Sequence, residues 1–145
     1  MAWTLRPRTR ITCASRPVTD STPLLDAFLK HKLELAHFRH VDHLRVGFEL
    51  LKRHDFLTAA SLFCNALKTM TASAGLGRVY HETISVAFLS LIAERMQRDS
   101  DADFAQFQER NADLLDKSVL KRWYSDERLR SDAARQTFVL PEART

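Results

Sequence analysis

The chain has 145 residues, enough for one domain with a single hydrophobic core, and its 45% apolar and 28% charged content belongs to a folded chain, not a disordered one. The net charge of +4 and isoelectric point near 9.4 suggest an anionic partner, yet Arg6, Arg8, Arg10 and Arg16 in the acid-free stretch 1–19 account for all of it. No apolar run approaches the roughly 18–20 residues of a membrane span, so no membrane partner of that kind is expected.

Residues 1–21 read as a basic, disordered tail. The stretch is Arg-rich, hydroxyl-rich and acid-poor like a transit peptide, but Pro7 and Pro17 break any amphipathic helix and no secretory apolar segment is present. A cytoplasmic protein is therefore expected, with nucleic acid not among its partners. Cys13 and Cys64 fit no CxxC spacing and read as reduced thiols.

From residue 22 on, the chain is poor in turn formers and rich in helix formers: proline recurs only at 23 and 141, glycine only at 47, 75 and 77. This predicts an all-α domain over 22–140, a single compact bundle of five to six helices, followed by a short tail over 141–145. Thr22 and Pro23 open the first helix, which should run to about residue 34. A second is predicted over 39–53. Asp55 caps a third, with Phe56, Ala59, Ala60, Phe63, Leu67 and Met70 at helical spacing, and AGLG at 74–77 ends it with glycine available for a left-handed cap. A fourth is predicted over 78–98, a fifth from the acidic stretch 99–103, a short one near 117–123, and a last one from Ser125 to about residue 136. The second and third helices resemble one tetratricopeptide-type hairpin, which alone is no array.

Three of the six histidines lie in HFRHVDH, 37–43. At about 100° per residue, His40 falls within the apolar stripe of Leu44, Phe48 and Leu51. His43 lies about 60° to one side, near Gly47, and His37 about 60° to the other. Asp42, Arg45, Glu49 and Arg53 take the opposite face, which reads as solvated. In the fourth helix His81 is centred on the apolar face and Glu82 borders it. A carboxylate turned toward packed surface needs a partner. His40, His43 and His81 could therefore hold a divalent transition metal such as zinc, iron or manganese. Without metal, His81 and Glu82 could work as an acid/base pair, with Tyr80, Tyr124 and Arg135 as substrate-binding groups. A third possibility is that the histidines are structural, each hydrogen-bonded to a carbonyl or an acid. In 121–135, interleaved acids make a salt-bridged helix surface the better reading of Lys121, Arg122, Arg128 and Arg130.

The chain also resembles a family of small bacterial all-helical proteins that read F-x-H-x-x-H, Y-H-E-T and Y-S-x-E-x-L-x-S-x-x-A-R-x-x-F-V-x-P. The matching residues are Phe38, His40, His43, Tyr80, His81, Glu82, Thr83, Tyr124, Ser125, Glu127, Leu129, Ser131, Ala134, Arg135, Phe138, Val139 and Pro141. His37 and His54 lie outside the pattern. The resemblance brings no activity or cofactor with it, so it supports the choice of residues and not a reaction. The expected function is small-molecule binding at a buried His/Glu site between two helices, possible as a metal-dependent enzyme. The alternative is a helical module that uses the hairpin to bind a protein partner or a second copy.

Overall fold

A computed structural model describes residues 22–101 and 103–143. The basic stretch 1–21 and Cys13 lie outside the described residues. Those described form seven α-helices and three 3-10 turns: α1 (Pro23–Leu29), a turn at Leu35–His37, α2 (His40–Arg53), α3 (Phe56–Ser73), α4 (Glu82–Arg98), α5 (Phe104–Arg110), turns at Ala112–Leu115 and Lys117–Arg122, α6 (Asp126–Arg130) and α7 (Asp132–Gln136). The all-α architecture is as expected.

Local chemistry sets most of the boundaries. Thr22, Asp55, Asp103, Ser125 and Ser131 each accept a hydrogen bond from a first-turn backbone N–H, which satisfies a donor the helix itself cannot. Gly75, with φ of 72°, ends α3: the amides of Gly75 and Leu76 bond back to the carbonyls of Ala72 and Thr71. Three boundaries differ from the sequence reading. The first helix stops at Leu29 because His31 takes the left-handed conformation (φ 57°) and repeats that same terminating geometry, with Lys32 N–H on Ala27 O. The fourth helix begins at Glu82, not 78, since His81 is its cap. The last helix is split by Ser131, whose extended backbone ends α6 and caps α7.

α2 is the central helix. Leu44 and the run Val46–Leu50 are buried on it, so it is enclosed nearly all round. One side packs with α1 and α3 around Leu25, Phe28, Phe63 and Leu67. The other packs with α4, α5 and the C-terminal segments around Phe48, Ile92, Phe107 and Leu120. Glu49, expected in solvent, is only 8% exposed. α1 covers it, and its carboxylate accepts from Thr22 Oγ1 at 2.6 Å and pairs with Arg45 Nε at 3.3 Å. Gly47 provides close approach of α2 to α4, not a space for ligand. A Cβ there would lie 3.0 Å from Leu89 and 3.1 Å from Ile92. No helix among the described residues is long and apolar enough to cross a membrane.

Candidate ligand-binding cavity

Between α2, α3, α4 and the turns at Leu35–His37 and Lys117–Arg122 lies a cavity of about 610 Å³. Its depth is apolar, lined by Phe63, Leu67, Phe88, Leu89, Ile92 and Leu120. Ala36, Arg39, Leu76, Val79 and Lys117 also line it and are exposed, which marks its mouth. His40, His43, Tyr80 and His81 all contribute to the wall. The expected residues of α2 and of the segment that leads into α4 thus line one cavity.

They do not gather there as a metal set. Among the described residues, no group of three or more His, Cys, Asp or Glu side chains is positioned to hold a metal ion. His81 shows why most plainly. Its Nε2 lies 2.6 Å from Leu129 O, and its Nδ1 receives the Ile84 amide at 3.1 Å. A carbonyl can only accept and an amide can only donate, so the ring is the neutral Nε2–H tautomer with both nitrogens occupied. It has no lone pair left for a metal and none for acid/base work. Glu82 is likewise committed elsewhere: its carboxylate meets Lys68 Nζ at 2.9 Å, not an imidazole. The donor set therefore does not fit the zinc, iron or manganese site that His40, His43 and His81 suggested, nor the His81–Glu82 pair.

Two other expected binding groups belong to a clasp outside the cavity. Tyr124 Oη donates to Val139 O at 2.9 Å, and Arg135 Nη1 donates to Arg78 O at 2.6 Å. Thr83, fully buried, donates to Thr137 O at 2.9 Å and accepts from Val139 N at 3.1 Å. With His81 on Leu129 O, these bonds fasten the C-terminal segment across the start of α4. The Y-H-E-T and Y-S-x-E motifs are, in this geometry, two halves of one fastening.

His40 and His43 differ from His81 in having capacity to spare. His40 Nε2–H donates to Leu114 O at 2.8 Å, and His43 Nδ1–H donates to Arg39 O at 2.8 Å. Each ring then keeps one lone-pair nitrogen, Nδ1 of His40 and Nε2 of His43, with no protein partner among the described residues. Aromatic rings hold both in place: His43 lies 4.0 Å from the Phe38 centroid, and His40 meets Phe88 edge-on at 4.9 Å. Desolvation holds both below the ordinary histidine value, more than their carbonyl bonds raise them, and the charge of Lys117 adds to the lowering. Both rings are neutral near pH 7. Tyr80 contributes its ring to the wall. Burial of its hydroxyl, with the Cys64 thiol and the Glu82 carboxylate beside it, pushes the phenol above the ordinary tyrosine range.

The residues that the sequence reading missed are Arg39, Lys117 and the apolar lining. Apolar positions that border a void have the same spacing as positions that fill a core, so periodicity held no signal for them. Comparison with known proteins adds nothing to this geometry: no family signature, no curated protein and no solved structure matches the chain.

Proposed function

We propose that this protein binds a predominantly apolar small molecule in the cavity between α2, α3 and α4, with the spare ring nitrogens of His40 and His43 as its polar anchors. The observation that carries this reading is the unfilled volume. The space opens to solvent at its mouth, so a ligand can enter it without unfolding the helices around it. A space of about 610 Å³ with an apolar lining lies within the range of small-molecule sites, about 300–1,000 Å³, and leaves apolar surface wet unless something occupies it. The wall also combines a large apolar area with a few fixed polar atoms, as ligand sites do. The cytoplasm is the proposed setting, in keeping with the free thiol of Cys64. The interaction-module reading is not favoured: of the large apolar side chains left exposed, only Leu57 lies on α2 or α3.

Titration with the neutral fluorophore N-phenyl-1-naphthylamine tests the reading. Saturable, blue-shifted emission at one site per chain is expected, and Ile84→Trp, which adds bulk to the cavity wall from α4, should weaken it several-fold while the fold is retained by circular dichroism. Absence of saturable binding, or binding unchanged in a folded Ile84→Trp variant, would overturn it.

A further inference from the structure

The charge around the cavity narrows what it would hold. No aspartate or glutamate lines it, and its two charged residues, Arg39 and Lys117, are both cationic and both at the mouth. They are not equivalent. Arg39 Nε lies 3.8 Å from Asp42, which offsets its charge. Lys117 has no ion pair among the described residues. Its nearest acid in sequence, Asp116, turns its carboxylate to the Ser118 amide at 2.8 Å. Lys117 also lies close enough to both wall histidines to lower their proton affinity, so it stands on the same side as they do. The charged side chains that line the mouth are therefore both cationic, while the acids nearest to them, Asp42 and Asp116, stand outside the lining and are engaged with Arg39 and with the Ser118 amide. Leu76 and Val79, which also line the cavity, are 46% and 63% exposed, so its apolar lining reaches the surface.

An apolar depth, an apolar rim and one unpaired cation at the water boundary are complementary to a single molecular type. Resting on the cavity reading above, we propose that the ligand is a single-chain amphiphile with a singly charged anionic head, a long-chain monocarboxylate. Its tail lies among Phe63, Leu67, Phe88, Leu89 and Ile92, and its carboxylate meets Lys117, with Arg39 beside it. The ammonium gains a charge-assisted hydrogen bond that a neutral head of the same length does not supply. A doubly charged head would bring a second negative charge against Asp42 and Asp116.

The test is displacement of N-phenyl-1-naphthylamine from the full chain by dodecanoate, dodecanol and dodecyl phosphate, the two anions below their micellar concentrations and the alcohol below its solubility limit, at neutral pH and low salt. Dodecanoate is expected to displace the probe about tenfold more strongly than dodecanol, and salt should narrow the gap. Lys117→Gln, an exposed change that should leave the melting temperature unaltered, is expected to erase that advantage without altering the alcohol. If acid and alcohol displace equally, the anionic head is wrong while the apolar-ligand reading stands. If dodecyl phosphate displaces more strongly than dodecanoate, or if Lys117→Gln retains the full acid preference, the monocarboxylate assignment to Lys117 is overturned. If the probe itself does not bind, the cavity reading falls and this inference with it. Sedimentation of a dimer that dissociates on addition of probe would assign the cavity to a second copy of the chain and overturn the amphiphile.

Discussion

The clasp around the start of α4 and the wall of the cavity use the same kinds of side chain to opposite effect. In the clasp, His81, Thr83, Tyr124 and Arg135 each bond a main-chain group of a distant segment, and the imidazole and the threonine hydroxyl are engaged both as donor and as acceptor. In the wall, His40 and His43 each donate once to a carbonyl and keep one nitrogen without a partner among the described residues. Three histidines that line one cavity are therefore not equivalent. What distinguishes a structural polar group from a binding one is whether its neighbours exhaust its hydrogen-bonding capacity.

Alanine substitution breaks that comparison most directly. His81→Ala removes the cap of α4 and leaves the Leu129 carbonyl unpaired, and should cost about 2–4 kcal/mol in urea unfolding. His43→Ala loses one bond to a carbonyl at the edge of a cavity that water can enter, and should cost about 1 kcal/mol while weakening probe binding. Equal losses for the two, or loss of probe binding with no loss of stability in His81→Ala, would erase the distinction between clasp and wall.

The pH dependence sharpens it. His40 and His43 have folded-state proton affinities below the ordinary histidine value, because burial disfavours their charged forms. As pH falls through about 6.5, the unfolded chain takes up protons that the folded rings do not, so stability declines until the lower folded values are reached. The decline is at most about 1.4 kcal/mol per pH unit for each ring. Urea midpoints should drop between pH 7.5 and 5.5 in the native chain and change less in a His40→Gln/His43→Gln variant. A double variant with the native slope would show that the wall histidines do not cause it.

Glu82→Gln should have the smallest effect. Its partner Lys68 is half exposed, and such pairs are worth under about 1 kcal/mol. Folding stability should fall by that much or less, with probe binding unaltered. A large loss of binding would return Glu82 to the site.

Much of the fold was legible locally. Thr22, Asp55 and Ser125 announced helix starts, and the stretches 99–103 and 74–77 held the cap Asp103 and the terminator Gly75, because capping depends on residues within one turn of each other. His31 was not legible as a terminator, since a non-glycine residue with positive φ is held there by the reversal of the chain after α1. Helical angles also placed His40 on a face that lines the cavity, whereas His81 reaches it as the extended cap of α4 and not from a helical face. Their roles were beyond such reasoning: Leu114 O is 74 residues from His40 and Leu129 O is 48 from His81.

The sequence by itself determined an all-helical chain, most of its caps, and which histidines turn inward, because periodicity and capping are local properties. Only the tertiary structure decided the rest. It buried Glu49 under α1, set Gly47 against Leu89 and Ile92, satisfied His81 completely, and left a void beside His40 and His43 with Lys117 at its mouth. Which carbonyls fall within reach of a side chain, and whether neighbouring helices close the space between them, depends on how distant segments pack, and no local pattern encodes that.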